Sequence, residues 1–472
     1  MAERRNGSDF LRFHGPVSLT LGIFSMLLVL VATACNPLEF DDLANAASTR
    51  VIPRASGFTS RDPFGSVLEG YVVSVGGAAA ESRLAVGAGP GTPVVIYRGW
   101  ANGDFDLAAP LSDTCDDPGD CLDSAGAALI GIPRWPLSGI ETLEGCLMAT
   151  APAEGGFSMI CESDPNIRSL GGAPADVALG TSGDAVAPGL DLGVAILGAP
   201  RANSGAGGVY RVEGAMIVEI VLPPGTAPSA SHLGTDLDVA DGTSGTSARV
   251  AVTAPDGGRV VVFTVASDGT ATVDACIDDP ALGFAGSVAY GDVDGDGAPD
   301  VIVGNAGEGA DEVRVYASSA APVGGGCMAW GAAPTIVTCP DVDPGVVCAG
   351  SNFGVDVSVG DLDGDGIGDL VVGAPAAVVA GIERAGAVFF IPGGAGGLDP
   401  TAATARTHSQ PGIDDGVGGV VEVWPSGLGV APRMEPSAGS VGRQAVLSFL
   451  CTGLPGDRPA DTSVVGDRCV PQ

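Results

Sequence analysis

Two stretches of this chain carry carboxylates at a spacing that implies chemistry. Asp292, Asp294, Asp296 and Asp300 recur in the second as Asp361, Asp363, Asp365 and Asp369, and both follow the pattern Asp-x-Asp-x-Asp-Gly-x-x-Asp. Alternate residues of a tight turn direct successive carboxylates inward, the arrangement a hard cation with six to eight oxygen ligands requires. Gly297 and Gly366 occupy the sixth position, where the chain reverses sharply and a Cβ is unwelcome. The carbonyls of Ala298 and Ile367, at position seven, complete the two candidate ligand sets. The number of carboxylates and the flexibility of the turn favour Ca2+ over Mg2+ and imply two structural sites. An EF-hand needs flanking helices and an acidic twelfth residue, but that position is Val303 or Val372. A mere acidic turn does not explain two identical spacings.

The elements around these turns repeat. Phe353-Gly354-Val355-Asp356-Val357-Ser358-Val359-Gly360 leads into the second turn, and Leu370-Val371-Val372-Gly373-Ala374-Pro375 leaves it. Phe284-Ala285-Gly286-Ser287-Val288-Ala289-Tyr290-Gly291 leads into the first, and Val301-Ile302-Val303-Gly304 follows. Each unit ends in one more apolar run, at 313–316 and 387–391. Weaker copies open at Leu233-Gly234, Leu170-Gly171 and Phe64-Gly65, with degenerate ones around Met148–Pro152 and Leu428–Pro432. Their anchors recur every 48 to 69 residues, the length of a four-stranded blade with its loops. These motifs resemble the FG-GAP repeat of integrin α-subunits, one repeat per blade. The resemblance implies an all-β, seven-bladed β-propeller over residues 61–450, with six or eight blades left open, and calcium in a structural role. A blade cannot bury both faces alone, and closing a ring removes long open edges.

Other units lack the acids. With Ala240 set against Gly360, Asp241 stands opposite Asp361, but Thr243 and Gly245 replace the next two acids and Arg249 the last. Arg83 sits equivalently in the first unit. One reading makes the guanidinium a stand-in for the ion; the other makes it an ordinary exposed arginine on a turn that has lost its site.

Catalytic signatures are wanting. Of three histidines, only His232 and His408 lie beyond the N-terminal segment, far apart in loop-like contexts, and no H-E-x-x-H, G-x-S-x-G or nucleotide-binding pattern occurs. All 21 basic residues are arginine, which removes Schiff-base lysine chemistry and a phosphate-loop lysine. A net charge of −35 repels phosphate backbones and excludes nucleic acid as a partner. The 75 glycines and 35 prolines punctuate short apolar runs, a pattern of many strands joined by turns.

The chain opens with Arg4, Arg5 and Arg12, then an apolar run at 17–32 and the small residues Ala32-Thr33-Ala34 before Cys35. This is the pattern of a secretory signal over 1–34 and resembles a bacterial lipobox, although Ala32 stands where Leu is usual. Cleavage leaves Cys35 as a lipidated N-terminus and 35–60 as a tether, with plain secretion as the alternative. Ten further cysteines fit an oxidising compartment. Local pairing gives Cys115 with Cys121, Cys146 with Cys161, Cys276 with Cys327, Cys339 with Cys348, and Cys451 with Cys469, the last within a C-terminal tail at 451–472. Zinc ligation is the rival, without a C-x-x-C pair to support it.

The expected function is a monomeric, non-enzymatic binding or adhesion module of the cell envelope, presenting loops to a protein or polysaccharide and held at the membrane by its lipid. The alternative is a secreted hydrolase or lyase with a pocket on the upper face of the ring. The integrin adhesion motif Asp-x-Ser-x-Ser is missing. Trp100, Trp135, Trp330 and Trp424 are the residues a sugar-binding surface would use, and aromatic residues make up only 5% of the chain.

Overall fold

The computed structural model describes the chain between residues 49 and 449, with breaks, the longest at 54–66, 111–127, 186–194 and 433–444. In several outlying strands only the backbone is described. The strands are short, rich in Val, Ile and Ala, and bounded by Gly and Pro, so antiparallel hairpins form throughout.

After β1 (Thr49–Pro53), a first hairpin series comprises β2 (Val67–Val73), β3 (Glu81–Gly87), β4 (Val95–Gly99) and β5 (Phe105–Pro110). The second comprises β6 (Leu129–Pro136), β7 (Thr142–Ala151), β8 (Gly156–Cys161) and β9 (Asp164–Gly171). The third comprises β10 (Gly183–Ala185), β11 (Ala195–Gly198), β12 (Val209–Glu213) and β13 (Met216–Ile220). The fourth comprises β14 (Leu237–Asp241), β15 (Ser247–Ala254), β16 (Arg259–Ala266) and β17 (Ala271–Asp278). The fifth comprises β18 (Phe284–Gly291), β19 (Asp300–Asn305), β20 (Glu312–Tyr316) and β21 (Thr335–Thr338). Next come β22 (Val346–Val347), β23 (Val357–Gly360), β24 (Asp369–Ala374), β25 (Val378–Val379), β26 (Ala387–Ile391) and β27 (Thr404–Arg406). The series ends with β28 (Val417–Trp424), β29 (Gly427–Pro432) and β30 (Ala445–Phe449).

Among the described residues these strands pair into seven four-stranded sheets and one short ribbon, β22 with β25. Six sheets follow chain order from inner to outer strand, while the last is β28-β29-β30-β1. The inner strands neighbour one another in the cycle β2, β6, β10, β14, β18, β23, β28 and back to β2. This is an all-β propeller. Side-chain packing is described most fully for the five consecutive sheets from β6 to β27, and the first and last are seen chiefly as paired backbones. β1 moves a boundary: five residues of the stretch assigned to the tether pair with β30, from Thr49 opposite Phe449 to Pro53 opposite Ala445. An early strand that completes the last sheet covers an edge that would otherwise stay open.

Glycine contacts at the sheet boundaries explain the repeat motif. A Cβ on Gly373 would lie 1.9 Å from the carbonyl oxygen of Gly418, and one on Gly304 would lie 2.2 Å from that of Gly354. The glycine closing the second strand of one sheet thus packs on the glycine opening the next. The opening glycines also have left-handed backbones, φ +94 at Gly234 and +90 at Gly354, which cost an L-residue strain. This corrects one unit of the sequence reading. Leu170-Gly171 belongs to β9, the outer strand of the second sheet. The third sheet opens instead at Leu179-Gly180, where Gly180 has φ +75 and its amide donates to the Gly198 carbonyl.

Apolar side chains of neighbouring sheets meet between them. Phe353 and Phe389 pack edge to face, with centroids 5.4 Å apart, in a cluster with Ile302, Val313 and Leu370. Among the described residues three disulfides are formed, Cys146–Cys161, Cys276–Cys327 and Cys339–Cys348. Cys35, Cys115, Cys121, Cys451 and Cys469 lie outside the described residues. Disulfides persist in oxidising compartments, which fits an exported protein. Among the described residues no helix is long and apolar enough to cross a membrane.

Candidate metal centre and central channel

The first aspartate turn joins β18 to β19 and the second joins β23 to β24. Strand pairing fixes their ends: Gly291 lies opposite Asp300, and Gly360 opposite Asp369. Asp292 organises the first turn, its Oδ1 accepting from Gly295 at 2.7 Å and its Oδ2 from Gly297 at 2.8 Å. Asp294 accepts from the Asp296 amide at 3.1 Å, and Asp296 from the Ala298 amide at 2.8 Å. Asp300 is buried, and its two oxygens accept from Val293 at 3.2 Å and Ser318 at 2.7 Å. The Ser318 hydroxyl donates to Asp296 Oδ2 at 3.0 Å, tying the turn after β20 to the loop. Burial pushes the Asp300 carboxyl up to about 6, against the pull of the Ser318 and Val293 amides.

Asp292, Asp294 and Asp300 bring one carboxylate oxygen each within 4.8 Å of one another. An all-oxygen, all-acidic donor set of this compactness fits a hard divalent cation. The second turn repeats the backbone pattern: Asp361 Oδ2 accepts from Gly366 at 2.9 Å and Asp365 Oδ1 from Ile367 at 2.8 Å. Asp369, also buried, accepts from Leu362 at 2.8 Å and Gly393 at 3.0 Å. Asp363 lies outside the described residues.

In the fourth sheet Ala240 lies opposite Arg249, the register of Gly360 and Asp369. The Arg249 guanidinium reaches Asp274 at 3.8 Å and lies 6.0 Å from the centroid of the Trp330 ring, in the next sheet. Trp330 itself donates to the Ala317 carbonyl at 3.0 Å and packs edgewise on Tyr316. The side chains of Arg83, Trp100, Trp135 and Trp424, and all of His408, lie outside the described residues.

The sequence reading missed a second acidic system. The inner strands enclose a cavity of about 490 Å³ lined by Glu69, Asp184, Asp236, Asp238, Asp356 and Glu422. Four of these reach across to the next inner strand. Asp184 accepts from the Val239 amide at 2.9 Å, Asp236 from Val288 at 2.9 Å, Asp238 from Tyr290 at 2.7 Å, and Asp356 from Val421 at 2.8 Å. Ser358 takes the same role toward Val423 at 3.2 Å. Burial drives Asp236 up to about 8 and Asp356 to about 7. Asp184 is also raised well above the carboxylate range, by burial first and then by Asp238 beside it. The available signal was the alternation Asp236-x-Asp238 and Asp356-x-Ser358 with apolar residues between and directly after them.

His232 is not in this channel. Its Nδ1 lies 2.5 Å from Asp256 Oδ2, with both side chains substantially exposed. The loops joining second to third strands, and those joining sheets, emerge at the end of the ring opposite the aspartate turns. Arg201, Asn203, Ser204, Asp256 and Arg384 are exposed there.

A propeller with acidic turns between the first and second strands of consecutive sheets defines the class. Residues 353–391, spanning β23 to β26, match the FG-GAP repeat family. The chain is an all-β propeller that contains an FG-GAP repeat. No curated protein matches it. Among solved structures it is similar to a streptogramin B lyase, with 8% identity, a TM-score of 0.46, and coverage of 86% of this chain and 99% of that one. It is also similar to a putative 6-phosphogluconolactonase from Bacteroides uniformis ATCC 8492, with 13% identity, a TM-score of 0.40, and coverage of 72% and 84%.

Proposed function

We propose that this protein is a calcium-stabilised, non-enzymatic binding module of the cell envelope. Its ring of seven blades is held at the membrane by a lipid on Cys35 and offers its upper loops to a protein or polysaccharide. An FG-GAP propeller is in general a platform for protein interaction. The observation that carries the reading is the way exposed charge is fixed on rigid backbone at the face opposite the aspartate turns. The amides of His232 and Leu233 donate to the carbonyls of Gly205 and Ala206, and those of Gly416 and Val417 to Arg384 and Ala385. Arg384 is bonded to Asp414, and Arg201 and Asp256 stand exposed on the neighbouring turns. Groups held this way lose little conformational freedom on binding.

Calcium, when bound, would be held by Asp292, Asp294, Asp296, the Ala298 carbonyl and Asp300 in one turn. Asp361, Asp363, Asp365, the Ile367 carbonyl and Asp369 would hold it in the other. It supplies charge neutralisation: acids crowded in a small volume repel one another without it. The chain's own amides already orient Asp292, Asp294, Asp296 and Asp300 in the first turn and Asp361, Asp365 and Asp369 in the second.

Affinity capture from envelope extract, with and without chelator, tests the reading. Wild type should retain a component that is lost both on chelation and in the combined variant Arg201→Ala, Asp256→Ala, Arg384→Ala. Equal recovery by that variant, or no retained component, removes the upper face from the account.

A further inference from the structure

The two aspartate turns are built into one another. The amide of Gly368, eighth residue of the second turn, donates to the carbonyl of Asp292, first residue of the first, at 2.7 Å. A second link runs through the turn after β26. Gly393 donates to Asp369 Oδ1 at 3.0 Å, and the next amide, Gly394, donates to the Val293 carbonyl at 3.3 Å. The Ile367 side chain closes the gap between the loops: a Cβ on Gly295 would lie 2.9 Å from its Cδ1, and one on Gly393 would lie 3.1 Å from its Cγ2.

Each of these contacts falls on or next to a candidate ligand. Gly368 stands between the Ile367 carbonyl and the Asp369 carboxylate, so its amide cannot shift without moving both. Its partner is the residue whose carboxylate organises the whole first turn. The successive amides of Gly393 and Gly394 are thus bonded to Asp369 on one side and to the first turn on the other. Packing at Gly295 leaves little slack, because close-packed elements transmit displacements instead of absorbing them.

We propose that the two turns form one coupled cation-binding unit, in which filling either raises the affinity of the other. The inference rests on the calcium reading above and goes beyond it by joining the sites. A cation that draws Asp369 and the Ile367 carbonyl together fixes Gly368 and Gly393, and through them holds Asp292 and Val293 in place. The second cation then meets a turn already ordered and loses less conformational entropy on binding. Coupling of this kind is reciprocal: each site must affect the other by the same factor.

Calorimetric titration of the full chain with CaCl2 tests this, using wild type, Asp294→Ala to disable the first turn and Asp365→Ala to disable the second. Circular dichroism reports whether each variant is folded. In each variant the surviving site should bind at least about fivefold more weakly than in wild type, by equal factors in the two. Two sites that bind in wild type and keep their affinities within about twofold in the variants would overturn the coupling and leave the calcium reading intact. No calcium binding by wild type at millimolar concentration would overturn both. If a variant does not fold, the wild-type isotherm decides: a Hill coefficient clearly above one supports the coupling, and a value of one sinks it.

Discussion

Arg249 and Asp300 hold equivalent places in successive sheets, Arg249 opposite Ala240 near the end of β14 and Asp300 opposite Gly291 at the end of β18. Where one sheet places a carboxylate, the other places a cation. The guanidinium lies between Asp274 and the face of Trp330, the latter contributed by the sheet whose turn keeps its acids. The stand-in reading is thereby refined: the bonds run to a neighbouring strand and an aromatic ring.

Arg249→Ala should therefore destabilise the fold by about 1–2 kcal/mol, from a partly desolvated cation–π contact and an ion pair lost together. Arg249→Lys should recover only part, since Lys lacks the planar group that stacks. Urea denaturation measures both. An unchanged midpoint in the alanine variant would reduce Arg249 to an ordinary surface residue.

Chelation should lower the melting temperature of the wild type, and Asp294→Ala with Asp363→Ala should lower it without chelator. Added chelator should then have little further effect on the double variant. Calorimetry with EDTA and with excess CaCl2 checks this. A melting temperature unmoved by any of these treatments would exclude a structural cation.

The channel gives the protein a definite pH dependence. Asp236 and Asp356 hold their protons in the folded state up to about 8 and about 7, against an ordinary 3.8 in the unfolded chain. The folded state thus binds more protons across that window, and stability falls as pH rises through it. Glu69, Asp184, Asp238 and Glu422 face the same cavity and oppose further ionisation. Thermal unfolding from pH 5 to pH 9 should show a falling midpoint, and Asp236→Asn should flatten the slope. A midpoint that climbs over this range would contradict buried, protonated acids.

Gly354→Ala should cost at least about 2 kcal/mol, the sum of a left-handed backbone and a steric conflict. Its φ is +90, and an added Cβ would lie 2.8 Å from the Glu312 carbonyl oxygen. Ala285 holds the corresponding place one sheet earlier with φ +62 and is fully buried, so the left-handed backbone alone does not exclude an alanine. Chemical denaturation of Gly354→Ala against wild type measures the difference, and a loss below about 0.5 kcal/mol would count against the packing account.

Much of the site was legible because calcium-type turns are local. Asp292 and Asp300 are eight residues apart, and spacing alone sets which carboxylates face inward. The disulfide pairs Cys146–Cys161 and Cys339–Cys348 were legible for the same reason, since close spacing makes pairing cheap in loop entropy. The opening of the third sheet was misplaced at Leu170-Gly171 because an apolar residue before glycine is common. Only the backbone, with left-handed Gly180 packed at a sheet boundary, separates a repeat start from an ordinary strand end.

By itself, then, the sequence determined the repeated strand–turn–strand units, the ligand spacing of the aspartate turns and the place in register that Arg249 shares with their last acid. Tertiary structure alone decided what lies between units. It placed β1 beside β30, some four hundred residues away in the chain, and gathered Asp184, Asp236 and Asp356 from three sheets around one channel. It also set Gly368 against Asp292. Those relationships depend on ring closure, which brings together residues that no local spacing relates.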